Sequence, residues 1–377
     1  MNRQSRGSAF SQARLALLIG AVVVPTLLSA QEPLWGGDLV SRIDSLAEST
    51  LAGGPVAGLS IGVKRGDELL LAKGYGQADV ENGVAATAET VYRIGSLTKQ
   101  FTAVAVMQLV QRGRVQVEEL LTRYLPEYST QGHDVTIRHL LTHTSGIKDF
   151  SGLPQNRATR TLDLSDEEVV ALFQDEPFDF SPGEQYRYSN SGFYLLGMVI
   201  AAVSEQSYRD YLMAHLFGPL GLSGSSYCDE RSIIPHRAEG YQVVDGRILN
   251  DTYLSMDRPG AAGALCSTVL DLLVWNSALR SGRLVSASSY EQMTTPATLN
   301  DGSESAYGFG LRLAPLEGRA RVFHTGGIDG FNTVLAYYPE SGLDIVVLSN
   351  TNGPHPRRIA DMIARWVHGI SVGNPPE

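Results

Sequence analysis

The chain has 377 residues, 43% of them hydrophobic and 19% charged, with a formal net charge of −10. Its arginines are scattered singly among acids, so no basic stripe exists to neutralise phosphates, and nucleic acid is excluded as a partner. No Pro/Gly/Ser-rich linker divides the sequence, which predicts one large domain or two lobes sharing a cleft.

Arg3, Arg6 and Arg14 precede an apolar stretch over 15–28, broken by Pro25 and followed by Ser29-Ala30-Gln31. This pattern predicts a secretory signal peptide over residues 1–30, cleaved after Ala30; the run is short for a bilayer-spanning helix, and a retained anchor is the alternative. The mature part, 31–371, is expected to be secreted or periplasmic, with no stable membrane span. Cys228 and Cys266 are the two cysteines. In an oxidising compartment they pair as a disulfide or stay as two buried thiols, and the sequence leaves both open. Without C-x-x-C spacing they make no zinc site.

Leu39, Ile43, Leu46 and Leu51 repeat at helical spacing, after which 58–63 and 68–72 read as strands about the turn Arg65-Gly66-Asp67. The helical pattern resumes over 97–110, opened by Ser96 and stopped at Gly113. From about 115 to 222 the chain is largely helical, with loops at Ser145-Gly146 and Ser181-Pro182-Gly183. Strands return at 321–324, 332–338 and 343–349, the last two joined by Pro339-Glu340-Ser341-Gly342, before a closing helix over 356–368 with Ile359, Ile363 and Trp366 on one face. Strands at both ends and helices between predict an α/β fold of α+β type. One antiparallel sheet is assembled from both chain ends and flanked by helices, with a mostly helical lobe inserted. The sheet lobe takes about 34–113 and 230–371 and the helical lobe about 114–229, with a cleft between.

Ser96-Leu97-Thr98-Lys99 opens a helix, and a spacing of three sets Ser96 and Lys99 side by side on adjacent turns. A serine hydroxyl needs a neighbouring base to attack a carbonyl, and a desolvated lysine can be that base. The bland reading is a helix N-cap beside a solvated lysine. Lysine is scarce here, however, with four in the whole chain. A second S-x-x-K, Ser145-Gly146-Ile147-Lys148, has glycine after the serine and suits a loop. Gly58-Leu59-Ser60-Ile61-Gly62 matches the nucleophile elbow of α/β-hydrolases, but an elbow needs a helix directly after the serine, and a hairpin is expected there.

Tyr188-Ser189-Asn190 opens a further helix, and His324-Thr325-Gly326-Gly327 ends a strand. Together with S-x-x-K, in this order and at wide spacing, these motifs resemble the penicillin-recognising serine hydrolases, in the branch of class C β-lactamases, D-alanyl-D-alanine carboxypeptidases and related esterases. The segments 136–146 and 263–268 also resemble that family. The resemblance covers nearly all of the mature chain. It implies Ser96 as nucleophile and Lys99 as base, with Tyr188 sharing the proton as a phenolate favoured by the nearby cation. Asn190 would bind a substrate carbonyl, His324, Thr325 and Gly326 would line the substrate wall, and backbone N–H groups of Ser96 and Gly327 would form the oxyanion hole. The implied substrate is a small molecule or peptide, with a peptidoglycan stem peptide or a β-lactam as candidates, and no cofactor or metal is required. Histidine at 324, where many relatives carry lysine, argues against β-lactamase specifically, because histidine is not a permanent cation. Two other classes stay open: a β-lactam or peptidoglycan sensor that acylates without turnover, and a secreted α/β-hydrolase using Ser60. His139 and His143 lack a third metal ligand and read as loop supports, and Arg93 reads as half of a structural ion pair.

Overall fold

In the computed structural model, which describes residues 32–371, the segment Leu343–Ser349, apolar over 345–348, is buried at every position. A strand projects alternate side chains to opposite faces, so an unbroken apolar run requires cover on both. The strands in chain order are β1 (Gly58–Arg65), β2 (Glu68–Asp79), β3 (Val84–Ala85), β4 (Tyr92–Arg93), β5 (Ser226–Tyr227), β6 (Tyr241–Val244), β7 (Arg247–Asn250), β8 (Leu265–Ser267), β9 (Val322–Ile328), β10 (Phe331–Tyr338) and β11 (Leu343–Ser349). Six of them form one antiparallel sheet in the order β3-β2-β1-β11-β10-β9. Its strands all come from the two segments expected to build a sheet lobe. The N-terminal hairpin meets the C-terminal meander at β1 and β11, where Ile61 faces Val347.

One face of the sheet packs Ile61, Ile345 and Val347 against Leu39 and Ile43 of the helix Gly37–Gly53 and Ile359 and Ile363 of the helix His355–Val367. Val346 and Leu348 turn the other way, into a larger core shared with the helices Thr98–Gln111, Asn190–Ser204 and Val269–Arg280. That core joins the sheet to the helical part of the chain, so the helix carrying Lys99 is buried nearly throughout. Asp344 is a charge inside this sheet, held by Arg280 at 2.8 and 2.9 Å and by Asn276 at 2.6 Å.

The expected strands are present but differ in extent, and the short strands β3 to β8 and the helices Val269–Arg280 and Ala287–Met293 were not foreseen. β2 runs on to Asp79, and β9 continues through Gly326 and Gly327 to Ile328, so the glycines lie inside a strand and not at its end. β8 lies between β4 and β5, beside the Ser96 turn. Cys228 and Cys266 are joined by a disulfide, Cα atoms 5.2 Å apart, which ties the segment after β5 to β8 across a separation of 38 residues. A loop of that length restrains the unfolded chain by about 4 kcal/mol. Replacing both cysteines by alanine is therefore expected to lower the unfolding free energy by about that amount. Urea unfolding in non-reducing buffer measures it, and an unchanged midpoint would show that the bond is not a constraint on unfolding. The 1–30 segment lies outside the described residues. Among those described, no helix is long and apolar enough to cross a membrane.

Candidate active site

Ser96 does not cap its helix. It sits in a 3-10 turn, Gly95–Leu97, that runs directly into the helix Thr98–Gln111. Gly95 has φ +52°, and a Cβ there would lie 3.0 Å from the Gly327 nitrogen, so only glycine lets the turn approach β9 this closely. One helical turn on, Lys99 is fully buried. Its Nζ lies 2.8 Å from Asn190 Oδ1, 2.8 Å from Ala262 O and 3.2 Å from Ser96 Oγ. Burial lowers the Lys99 pKa to about 7, against an opposing pull from Asp149 and with a smaller push from Arg312. The neutral amine has two N–H bonds and one lone pair. Asn190 Oδ1 and Ala262 O can only accept, and they take both hydrogens. The lone pair is left facing the Ser96 hydroxyl, the arrangement a general base requires.

Asn190 is oriented from both ends: its Nδ2 donates to Ser151 Oγ at 3.2 Å and its backbone N–H donates to Asp149 Oδ1 at 2.9 Å. Tyr188 packs its ring under the ammonium position, with Lys99 Nζ 4.7 Å from the ring centroid. Its hydroxyl is buried next to Ser96 but makes no hydrogen bond of standard geometry. Burial drives the Tyr188 pKa well up, and the contact with Ser96 and the charge of Arg312 only partly oppose this. The expected phenolate is therefore corrected: removing water costs the anion more than the neighbouring charges return, and Tyr188 rests as a neutral phenol.

His143 holds Tyr188 in place. It has φ +59°, unusual for a residue with a side chain, its Nδ1 accepts the Ser189 N–H at 3.1 Å, and its ring packs tilted against the Tyr188 ring with centroids 4.3 Å apart. The loop-supporting role expected for His139 and His143 fits what they touch, since His139 closes a capping box with Thr136 at the helix Ile137–Leu141.

β9 is the edge strand of the sheet. At its start, Phe323 exchanges both backbone hydrogen bonds with Arg312, at 2.8 and 3.0 Å, on the side away from β10. Backbone groups alternate in direction along a strand, so those of Thr325 and Gly327 also point off the sheet edge, toward Ser96. Gly326 is buried, and a Cβ there would overlap Ile94 O and Thr333 Oγ1; Gly327 is exposed. The Thr325 hydroxyl makes no hydrogen bond among the described residues.

His324 departs from expectation. It is 1% exposed, with its ring 6.1 Å from that of Tyr188, so it is buried beside the site and not open to the cleft. Its Nδ1 is 2.6 Å from Thr325 O, which can only accept, so Nδ1 carries the proton and Nε2 accepts from the Tyr307 hydroxyl at 2.9 Å. Burial, Lys99 and Arg312 hold its pKa well below the ordinary value, so the ring is neutral. The permanent cation at this end of the site is Arg312, stacked over Tyr188 at 5.5 Å and Tyr307 at 5.9 Å, with its Nε buried and unpartnered. Sequence reasoning missed Arg312 and Tyr307. A signal for the second lay in Tyr307-Gly308-Phe309-Gly310, where Gly310, at φ +68°, rests on the Lys99 carbonyl.

Ser60 is a buried strand residue, its Oγ donating to Thr87 O at 2.7 Å and lying 2.9 Å from the Tyr92 hydroxyl. The chain continues from it along β1 into β2, so the α/β-hydrolase alternative is withdrawn: no helix follows to make an elbow. Ser145 is buried in a loop, and Lys148 pairs with Asp179 instead. Arg93 is bound by Glu230. Among the described residues no cluster of His, Cys, Asp or Glu could hold a metal. A cavity of about 510 Å³ opens at Ser96, bounded by Asn190, Ala262, Gly263, Gly327 and Ile328.

The sequence and fold resemble known proteins. The chain is 30% identical over 302 residues to penicillin-binding protein 4* of Bacillus subtilis (strain 168), covering 76% of this chain and 66% of that protein. It is 28% identical over 335 residues to protein flp of Staphylococcus aureus (strain COL), covering 86% and 66%. The chain thus spans just under two thirds of the length of these curated relatives. Its fold superimposes on an octameric penicillin-binding protein homologue from Pyrococcus abyssi with TM-score 0.77 and 30% identity, over 88% of this chain and 77% of that one. The D-amino acid amidase of Ochrobactrum anthropi SV3 matches with TM-score 0.77 and 25% identity, over 88% and 99%. The Beta-lactamase family matches residues 43–369, and the chain belongs to that family as a serine hydrolase of the β-lactamase and penicillin-binding-protein fold.

Proposed function

We propose that the protein is an exported acyl-transfer hydrolase that forms an acyl-enzyme at Ser96 on an amide or ester carbonyl, carboxypeptidase-like or esterase-like in its chemistry. The observation that carries this reading is the Lys99 amine, 3.2 Å from Ser96 Oγ with both of its hydrogens already engaged. Lys99 accepts the Ser96 proton as Oγ attacks. The Ser96 and Gly327 N–H groups stabilise the oxyanion, which forms where the helix Thr98–Gln111 adds the partial positive charge of its N-terminus. Lys99 passes the proton toward the departing group through the Tyr188 hydroxyl, which works as a neutral relay. Water, activated by the same amine, then releases the acyl group. Asn190 and the Thr325 hydroxyl hold the substrate along the edge of β9.

The D-amino acid amidase named above supports an amide substrate of D-configuration, and the neutral His324 supports amide or ester over β-lactam. The pairing of Cys228 and Cys266 supports export into an oxidising compartment. A panel of a chromogenic cephalosporin, a D-alanyl-D-alanine peptide, a D-amino acid amide and a short-chain nitrophenyl ester tests the substrate class. Fast cephalosporin turnover with the others inert would overturn the assignment. A lasting adduct in the intact mass, without turnover of any of the four, would favour the sensor. Tyr188→Phe is expected to slow acylation by roughly 10²–10⁴-fold while leaving the pH midpoint in place, because Tyr188 relays the proton and does not titrate in that range. An unchanged rate removes it from the mechanism.

A further inference from the structure

The cavity beside Ser96 holds charge that the acyl-transfer steps do not use. In a chain of net charge −10, its wall carries three arginines, Arg157, Arg160 and Arg258, against one carboxylate, Asp329. Arg160 takes Asp329 as its partner. Arg258 is 2% exposed and forms no ion pair among the described residues; Nη2 donates to Asn156 Oδ1, while Nε and Nη1 are buried without a partner there. Arg157 stands exposed at the rim, and its guanidinium makes neither ion pair nor hydrogen bond among the described residues. A buried guanidinium with idle N–H groups and no counter-charge is costly, and an anion entering beside it removes that cost.

The layout along β9 identifies which part of a substrate meets these arginines. Tyr188, Tyr307 and Arg312 gather at the His324 end, whereas the cavity runs from Gly327 past Ile328 to Asp329 at the other. The departing group must lie where Tyr188 delivers its proton. The acyl part kept on Ser96 therefore occupies the cavity. We infer that this cavity is a subsite for a carboxylate carried by the acyl part of the substrate, held by Arg258 and Arg157, with Asn156 orienting Arg258. The inference rests on Ser96 as the acylated nucleophile.

Two para-nitrophenyl esters with one leaving group test it: the pentanoate, and the glutarate hemiester, in which a carboxylate replaces the terminal methyl. The glutarate ester is expected to have the higher kcat/KM, on the order of 10- to 100-fold at low salt. Added sodium chloride should shrink that advantage. Arg157→Gln, at an exposed position, and Arg258→Gln, with thermal melting as a check on folding, should each bring the ratio toward unity. No preference for the glutarate ester, or a preference that neither variant reduces, overturns the subsite. In Ser96→Ala, calorimetric binding of glutarate mono-anilide against pentanoic anilide reads the subsite without acyl transfer. Selective binding there with no hydrolysis by the intact enzyme removes the nucleophile assignment and keeps the subsite. Hydrolysis without selectivity does the reverse.

Discussion

Ser96→Ala is expected to lower hydrolysis by roughly 10⁴–10⁶-fold and to abolish covalent labelling by a serine-reactive probe. Ser60→Ala and Ser145→Ala should still label one residue per chain. The reason is geometric. Ser60 Oγ is engaged with Thr87 O and Tyr92 inside the sheet, and Ser145 is buried in a loop whose lysine is paired with Asp179. Ser96 alone among the three faces both a desolvated amine and an open cavity. Peptide mapping of the labelled protein decides the matter, and label on any other serine, or surviving label in Ser96→Ala, removes the assignment.

On the proposed mechanism Lys99 sets the pH dependence. With its pKa lowered to about 7 by burial, the amine is protonated below that pH; all its hydrogens then donate, and Ser96 has no acceptor. Above it the lone pair is free. The value of kcat/KM is therefore expected to rise with pH through a midpoint near 7 and then level. The two buried histidines do not add a second inflection there, since burial and nearby cations hold both His143 and His324 well below their ordinary pKa. Lys99→Met should slow acylation by roughly 10²–10⁴-fold and abolish the inflection. Lys99→Arg should not restore activity, because a guanidinium stays protonated. A wild-type profile that is flat between pH 6 and 8 would show that another group takes the Ser96 proton.

The site was only partly legible in the sequence. As a four-residue pattern Ser96-Leu97-Thr98-Lys99 was no sharper than its copy at Ser145; its helix-start context and its order and spacing relative to Tyr188 and His324 singled it out. His324 was read as a wall residue because a motif names residues and not the direction they point. In the structure the β9 pleat turns it inward onto Tyr307. Arg312 escaped notice because its role depends on pairing with Phe323 across the sheet edge, a contact that leaves no local pattern.

Local sequence by itself indicated the 343–349 strand, the helix after Ser96 and strands at both chain ends, but not the short strands β3 to β8 or the helix Val269–Arg280. Side-chain periodicity and turn chemistry act over a few residues and need no partner to be read. Tertiary structure alone decided the ionisation of the site. Whether Lys99 is neutral, Tyr188 protonated and His324 uncharged depends on how completely distant segments exclude water from one small volume, and desolvation is a property of the packed interior.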